Sequence, residues 1–188
     1  MSKPVLQVII ASTRPKRVGG FVGEWFAEAA KEHGDFEVQV ADLRELDLPM
    51  MNEPNHPRMH DYQYEYTKNW ANIIENSDAI VFVMPEYNFG FNAPLKNAID
   101  YLYDEWSYKP VGFVSYGGVS GGLRATQMLK QVVTTVKMIP IMEQVALPFV
   151  FNDIKDGKYN PPQIVSQSAT AMLNELAKVQ KATVGLRG

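Results

Sequence analysis

A short segment near the N-terminus carries the residue types that bind phosphate groups. Ser12 and Thr13 supply hydroxyl donors, and Arg14 and Arg17 supply guanidinium groups for charged, bidentate hydrogen bonds. Glycines at positions 19 and 20 allow a close approach of the backbone. A helical pattern follows, and a helix N-terminus offers free N–H groups and a partial positive charge. The segment therefore predicts a phosphate site; the alternative is that Ser12 only caps the helix and the arginines are solvated.

Two further segments suit the rest of a phosphorylated heteroaromatic ligand. Residues 85–92 are rich in aromatic and amide side chains, so that Tyr87 and Phe89 could pack against a flat ring whose edge is bonded by backbone groups. Residues 116–122 contain four glycines. Glycines lose much conformational entropy when a chain folds, so a cluster of them is expected where the backbone must touch a ligand. Each segment alone could equally be an ordinary turn.

The elements that must position these segments alternate between strand and helix patterns. Five apolar runs have the length and composition of buried strands, and each is followed by a run with helical spacing of apolar residues. Gly34 is a predicted helix C-cap. The pattern predicts an α/β fold, in which a parallel sheet lies between two layers of helices. The predicted strands are 5–11, 36–42, 79–84, 111–116 and 141–147.

The order of the strands follows from motifs that the chain lacks. Neither a Gly-x-Gly-x-x-Gly motif nor a Gly-x-x-x-x-Gly-Lys phosphate loop follows the first strand. With five strands, this favours the flavodoxin-like order 2-1-3-4-5, a three-layer sandwich. Ligands of such sheets bind beyond the carboxyl ends of the strands, at the switch point between the first and third. The three segments follow strands one, three and four, so we expect them to converge there.

Two connections have a less regular pattern. Residues 43–63 contain three prolines and no clear period, so we expect a long loop, which in a compact domain is commonly functional. Residues 85–92 are predicted to be a loop that ends at Asn92, the N-cap of a helix with Pro94 in its first turn. Pro140 is expected to end the segment before the fifth strand.

Composition excludes several classes of protein. The chain has 188 residues, no cysteine and a net charge of −3, and its length fits one domain, residues 1–188. Without cysteine there are no disulfides, thiol nucleophiles or iron–sulfur clusters. There is no basic run to bind nucleic acid, and the apolar run at 5–11 is too short for a membrane helix or signal peptide. We therefore expect a cytoplasmic protein with no nucleic-acid or membrane partner.

Two other kinds of catalytic site find little support. His56 and His60 are four residues apart, as metal ligands on one helical turn are, but Pro57 opposes a helix there and no further ligand is suitably spaced. No Gly-x-Ser-x-Gly motif positions a serine nucleophile. We therefore predict no metal site and no nucleophilic catalysis.

Four stretches of the sequence resemble the NADPH-dependent FMN reductase family, which comprises flavodoxin-like quinone, azo-dye, chromate and flavin reductases. The resemblance covers about residues 4–150. It departs from many relatives at positions 15–17, where they have small polar residues. The four stretches are Ser12-Thr13-Arg14, Pro85-Glu86-Tyr87-Asn88, Leu95-Lys96-Asn97-Ala98-Ile99-Asp100 and Tyr116-Gly117-Gly118, of which the second and third are the most specific.

The resemblance implies bound FMN, with NADPH or NADH as the cosubstrate. It assigns the three segments to the 5′-phosphate, to the isoalloxazine ring, and to the pyrimidine side of the ring with the ribityl chain. The candidate cofactor-binding residues are Ser12, Thr13, Arg14, Arg17 and Val18 in the first segment; Pro85, Glu86, Tyr87, Asn88 and Phe89 in the second; and Ser115, Tyr116, Gly117, Gly118 and Gly121 in the third.

The implied activity is a two-electron hydride transfer from the nicotinamide nucleotide through FMN to a small-molecule acceptor, such as a quinone, azo dye, metal oxyanion or flavin. One pocket used twice gives ping-pong kinetics, and no catalytic side chain is predicted because the cofactor carries the chemistry. Relatives form homodimers or homotetramers, and residues 102–108 and the methionine-containing segment from Leu43 are candidate interfaces. The alternatives are a flavodoxin-type electron carrier and a flavin-binding regulatory module without turnover.

Overall fold

Strands and helices alternate along the chain in the computed structural model, which describes residues 2–187. Within this range, no helix combines the length and the apolar character that crossing a bilayer requires. In chain order, the elements are β1 (Val5–Ile10), α1 (Gly19–His33), β2 (Glu37–Asp42), α2 (Leu43–Leu46), α3 (Glu65–Glu75), β3 (Ala79–Tyr87), β4 (Gly90–Phe91), α4 (Ala93–Asp100), β5 (Pro110–Gly117), α5 (Leu123–Thr135), β6 (Ile139–Pro140), β7 (Val145–Pro148), β8 (Ile154–Lys155), β9 (Lys158–Tyr159) and α6 (Gln163–Thr183).

The central sheet has the predicted order. β2, β1, β3 and β5 lie side by side and parallel, and the outer edge of β5 pairs first with β6 and then with β7. In terms of the five predicted strands this order is 2-1-3-4-5, so the flavodoxin-like α/β fold is confirmed. The C-cap at Gly34 is also confirmed, since this residue has the left-handed conformation with φ 87°.

Alternate side chains of β3 enter two separate cores. Ile80 and Phe82 pack with residues of α3, α4 and α5 on one face of the sheet. Val81 and Val83 pack with residues of α1 and α6 on the other face. All four side chains are fully buried, which explains why this strand is a continuous apolar run in the sequence. The two helical layers thereby fix the carboxyl ends of the strands and the loops that follow them.

Trp70 of α3 links two helices within one of these cores. Its ring is fully buried, packs edge-on against Trp106, and donates a hydrogen bond from Nε1 to the carbonyl of Ala98 at 2.8 Å. We expect Trp70→Phe to lower the free energy of unfolding by about 1–3 kcal/mol, because the buried carbonyl loses its donor. Urea unfolding measures this, with Trp25→Phe at a half-buried site of α1 as the control. Equal losses in the two variants would contradict the assignment.

Residues 85–92 form a β-hairpin, so the prediction of a loop was wrong. β3 continues to Tyr87 and pairs antiparallel with β4. The two turn residues, Asn88 and Phe89, have φ of 49° and 71°, as in the tight turns that match the twist of a hairpin. Asparagine favours such angles, but a phenylalanine there is uncommon. The sequence therefore lacks the Asn-Gly signal by which this turn is usually recognised.

Asn92 precedes α4 as predicted, but its side chain does not cap that helix. Instead, Nδ2 donates a hydrogen bond to the carbonyl of Ala11 at 2.6 Å. Because Ala11 directly follows β1, this bond ties the loop after β1 to the hairpin after β3.

The predicted fifth strand, 141–147, was only partly right: β7 covers its last three residues, 141–144 are not strand, and β6 (139–140) lies before the predicted range. β6 and β7 both pair with β5, and the residues between them leave the sheet, so that Met142 is exposed. Pro140 lies within β6 rather than before the strand. A proline is tolerated there because the strand is at the edge of the sheet, where a missing N–H group breaks no ladder.

The long segment 43–63 contains α2 and a short 3-10 helix, Pro57–Met59, and is otherwise irregular, as predicted. Asn97 of α4 holds its middle in place. This side chain accepts a hydrogen bond from the N–H of Met51 at 2.8 Å and donates one to the carbonyl of Pro49 at 2.7 Å.

The aromatic segment 102–108 packs largely within the chain itself. Leu102 and Trp106 are buried among α3, α4 and β3, so the core explains much of its aromatic character. Met50 in segment 43–63 is exposed. Of the two candidate homo-oligomer interfaces, segment 43–63 is therefore better supported than segment 102–108.

Candidate functional site

A cleft of about 320 Å³ lies at the carboxyl ends of β1, β3 and β5. Its walls come from the first loop (residues 11–18), the β3–β4 hairpin, the glycine loop (residues 117–122) and the segment after β7. Its size is that of a small-molecule site. The lining residues are Ser12, Arg14, Lys16, Arg17, Val18, Pro85, Glu86, Tyr87, Tyr116, Gly117, Gly118, Val150 and Phe151.

The N-terminus of α1 lies at one end of the cleft. Val18, its N-cap residue, lines the cleft. Within residues 2–187, no side chain caps this helix end, and its first turn contains no acidic residue. The free N–H groups and the partial positive charge of a 15-residue helix are therefore available to an anion.

Tyr116 brings a hydroxyl group to the same end of the cleft. The residue is 5% exposed, and its Oη is buried with no hydrogen-bond partner in the part of the chain that the structure describes. A side chain at Gly19 would overlap this hydroxyl, so the glycine makes room for it beside the first turn of α1. Burial raises the pKa of Tyr116, so the hydroxyl stays protonated near neutral pH and can donate to a ligand.

The two arginines of the first loop have different surroundings. Both terminal nitrogens of Arg17 donate to the carboxylate of Asp42, and Nη1 also donates to the carbonyl of Ser12 at 2.7 Å. The Arg17 side chain is only 12% exposed, so it fixes the loop and its charge is neutralised. Arg14 is exposed, with its guanidinium carbon 5.9 Å from the Tyr87 ring centroid. It has no carboxylate partner among residues 2–187.

The hairpin supplies an aromatic wall and an exposed tip. Tyr87 lines the cleft, with its Oη 3.5 Å from Ser12 Oγ. Asn88 and Phe89 form the tip and do not line the cleft. One face of Phe89 is covered by the guanidinium of Arg124, whose central carbon is 4.3 Å from the ring centroid.

Glu86 joins the hairpin to the glycine loop and to α5. Its carboxylate accepts hydrogen bonds from Ser120 Oγ at 2.7 Å and from the backbone N–H groups of Arg124 and Ala125 at 3.0 and 3.3 Å. The guanidinium of Arg124 also donates to it, from Nη1 at 3.2 Å. Burial acts to raise the pKa of Glu86, but these hydrogen bonds outweigh it and hold the pKa below its ordinary value of 4.5. Glu86 is therefore ionised near neutral pH and is not a proton donor there.

Replacing this carboxylate tests its structural role. Because the folded-state pKa of Glu86 is lowered, its contribution to stability is fully present above the unfolded-state pKa and is lost as the pH falls through the folded-state value. We expect Glu86→Gln to lower the free energy of unfolding by about 1–2 kcal/mol at pH 7. Urea unfolding should show this deficit shrinking below about pH 4. A deficit that does not depend on pH would contradict the role of the charge.

The glycine loop combines two shaping glycines with two that face the cleft. Gly121 and Gly122 have φ of 60° and 86°, and a Cβ at Gly122 would lie 2.6 Å from Ser115 Cβ. Ser115 is buried and donates from Oγ to the carbonyl of Gly121 at 2.9 Å. Gly117 and Gly118 line the cleft, and a Cβ at Gly118 would meet no protein atom within 4 Å.

Some of the predicted site residues lie outside the cleft. Thr13 lines a separate cavity of about 230 Å³ together with Leu43 and Asp47. Gly121 belongs to the glycine loop but packs against β7, and Ser115 bonds to its carbonyl. The predicted residues that do not line the cleft are Thr13, Asn88, Phe89, Ser115 and Gly121.

Three lining residues are absent from the predicted set: Lys16, Val150 and Phe151. Lys16 lies in the first loop, and the other two follow β7. The N–H of Phe149 donates to the carbonyl of Gly117 at 3.1 Å, which holds this segment against the glycine loop. The predicted strand order could have identified Val150 and Phe151, because the carboxyl end of the fifth strand reaches the same edge of the sheet.

A larger cavity, of about 600 Å³, lies at the opposite edge of the sheet, beside the amino ends of β3 and β5. Its deepest cation, Lys109, is already bound by carbonyl groups at the C-terminal end of α3. His60 at its rim contacts Asp104 at 3.1 Å, whereas His56 accepts from a backbone N–H, so the two histidines do not share a ligand. Among residues 2–187, no three His, Asp or Glu side chains are grouped to hold a metal.

The sequence is similar to a family of flavin-dependent enzymes over most of its length. Residues 5–152 match the model of the NADPH-dependent FMN reductase family. An NAD(P)H-dependent FMN reductase of Schizosaccharomyces pombe is 42% identical over 149 residues, which cover 77% of this chain and 74% of that protein. A quinone reductase of Pseudomonas putida is 37% identical over 142 residues, 72% of each chain.

The fold is shared with solved structures of more distant proteins. The flavoenzyme NAD(P)H:(acceptor) oxidoreductase of Paracoccus denitrificans superposes with a TM-score of 0.78 at 20% identity, over 96% of this chain and 98% of that one. The sequence matches confirm the resemblance found in the motifs, and the superposition agrees with the observed strand order. The chain therefore belongs to the NADPH-dependent FMN reductase family and is an oxidoreductase that works with FMN and NAD(P)H.

Proposed function

We propose that the cleft binds FMN and that NAD(P)H and an electron acceptor then use the same site in turn, in a ping-pong reaction. The observation that carries this proposal is the convergence of an uncapped helix N-terminus, an aromatic hairpin and a glycine loop on one cleft. These are the three surfaces that a phosphate, a flat ring and a polar chain between them require.

Two features of the cleft fit this cofactor. The buried hydroxyl of Tyr116 has no partner in residues 2–187, and a ligand acceptor would satisfy it. The glycine at position 118 leaves open space on the cleft side of the loop, where a side chain would reduce the room for a ligand. Both residues line the cleft.

In this proposal, the first loop and α1 bind the phosphate of FMN. In the proposed arrangement, N–H groups of the α1 N-terminus and the hydroxyl of Ser12 donate to the phosphate, and Arg14 supplies the charge. Arg17 acts indirectly, because its bonds to Asp42 and to the carbonyl of Ser12 hold the loop in shape. Val18 contributes as the residue from which the helix starts.

The hairpin and the glycine loop bind the isoalloxazine ring. Tyr87 and Pro85 form an apolar wall, and the backbone at Gly117 and Gly118 approaches from the other side. Bound there, FMN would supply the two-electron hydride chemistry that links NAD(P)H to the second substrate. The chain positions the ring and excludes water. No side chain here is assigned a proton transfer, because the cofactor supplies the redox chemistry. Hydrogen bonds hold Glu86 ionised, and burial raises the pKa of Tyr116, so that it stays protonated.

The acceptor we propose is a planar aromatic compound of the quinone or azo-dye class. The mouth of the cleft exposes Tyr87 and Phe151, which suit such molecules by stacking. Relatives carry names that agree with this class: the quinone reductase of Pseudomonas putida, and an NADPH azoreductase of a Bacillus species that is 25% identical over 181 residues.

An anaerobic visible spectrum of the FMN-loaded protein, recorded as NADPH is added, tests the proposal. We expect the absorbance of the bound flavin to bleach in one two-electron step and to recover on addition of a quinone. Initial rates at varied NADPH and quinone should give parallel double-reciprocal lines. Flavin that binds but is not bleached by NADPH would favour an electron carrier or a regulatory module. Failure to bind flavin would overturn the site itself.

A further inference from the structure

Two of the three cationic side chains that line the cleft have no ion-pair partner among residues 2–187. Arg17 is neutralised by Asp42, whereas Arg14 and Lys16 have no carboxylate within ion-pair distance among residues 2–187. The chain as a whole has a net charge of −3, so two free cations together with a helix N-terminus make this a local concentration of positive charge. The proposed FMN phosphate uses the helix end and Arg14, and Lys16 remains free.

Lys16 is placed at the rim by a tight turn. The N–H of Arg17 donates to the carbonyl of Arg14 at 3.2 Å, which closes a turn with Pro15 and Lys16 at its centre. Arg14 lies at the start of this turn, beside the Tyr87 ring. Lys16 is exposed yet lines the cleft, so its ammonium group can meet a ligand that extends out of the cleft.

An exposed aromatic side chain shares this rim. Phe151 is 69% exposed and lines the same cleft as Lys16. Its backbone is anchored on the preceding side, because Val150 is buried and the N–H of Phe149 donates to the glycine loop. Because Phe151 and Lys16 line the same cleft, they can offer a stacking surface and a charge to one ligand. A flat base with a phosphate group near it matches that pair.

We propose that Phe151 and Lys16 bind the adenosine 2′-phosphate part of NADPH, and that Lys16 makes the enzyme prefer NADPH to NADH. This inference rests on the proposed function, since it requires FMN in the cleft. The lysine ammonium is a compact charge that suits a phosphate dianion. NADH has a neutral hydroxyl at that position and gains nothing from Lys16. Phe151 stacks on the base, which NADPH and NADH have in common.

The test compares two fragments of the nucleotides by isothermal titration calorimetry on the FMN-loaded protein. The probes are 2′,5′-ADP, which carries the 2′-phosphate, and 5′-AMP, which lacks it. We expect the wild type to bind 2′,5′-ADP about tenfold more tightly, and Lys16→Ala to remove that preference. Lys16→Arg should keep it. Lys181→Ala, which removes the same charge from the far end of α6, should also keep it. Phe151→Ala should weaken both probes by a similar factor.

The outcomes separate this inference from the proposed function. A preference that survives in Lys16→Ala, or that is absent from the wild type, overturns the role of Lys16. A loss of FMN affinity in Lys16→Ala equal to its loss of 2′,5′-ADP affinity also overturns it, because Lys16 would then serve the FMN phosphate. Failure of the wild type to bind FMN would overturn the proposed function and this inference together. Ratios of kcat/KM for NADPH and NADH should follow the calorimetric preference.

Discussion

Gly118→Val is expected to weaken FMN binding by roughly a hundredfold or more, while the FMN-free protein folds as before. A Cβ at Gly118 meets no protein atom within 4 Å, and its backbone is not in the left-handed region, so the fold has room for a side chain there. The same space belongs to the cleft, and a valine would occupy volume that the cofactor needs. Flavin fluorescence titration measures the affinity, and thermal unfolding of the FMN-free protein measures the fold.

Gly122→Ala is the matched control, because the same loop contains a glycine with a structural role. At Gly122 a Cβ would lie 2.7 Å from the backbone nitrogen of Tyr116, and φ is 86°. This variant should lose at least about 2 kcal/mol of stability without any ligand. Gly118→Ala should fall between Gly118→Val and the wild type in FMN affinity. Full flavin occupancy in Gly118→Val would show that the glycine loop does not face the cofactor.

Arg14→Ala is expected to weaken FMN binding by roughly ten- to a hundredfold, since a hydrogen bond to a charged group contributes about 1.5–3 kcal/mol. Arg14 is the cleft arginine with no carboxylate partner among residues 2–187, so its charge is free for the phosphate. Titration with riboflavin, which lacks the phosphate, provides the control. The variant should bind riboflavin as the wild type does, and an equal loss for both flavins would contradict a phosphate contact.

Arg17→Ala should behave differently, although both arginines lie in the same loop. Its removal leaves Asp42 without its ion-pair partner, with only the N–H of Arg44 still bound to the carboxylate, and it frees the first loop, so the FMN-free protein should lose stability. Riboflavin affinity should fall along with FMN affinity, because the loop itself changes shape. If Arg17→Ala instead lost FMN affinity alone, at full stability, the sequence-based assignment of Arg17 to the phosphate would hold over the structural one.

Periodicity predicted the five strands of the sheet, because apolar runs such as 79–84 are local signals. Their order followed from the number of strands and from the absence of the two nucleotide-binding motifs after the first strand. The edge of the sheet was less predictable. Pro140 was taken to precede a strand, yet it pairs within β6, because an edge strand tolerates the missing N–H group that a central strand would need.

The sequence by itself determined which loops meet, because strand order alone brings the ends of β1, β3 and β5 to one edge. It also identified the residue types that suit a phosphorylated ring. Only the tertiary structure decided which side chains remain free to act. In the sequence, Arg17 and Glu86 cannot be told apart from charged residues that have no partner. In the structure, Asp42 neutralises Arg17, and the N-terminus of α5 donates hydrogen bonds to Glu86. These partners lie 25 and 38 residues away in the chain. The distance between such side chains depends on how the layers of the fold pack, so no local sequence pattern predicts the pairing.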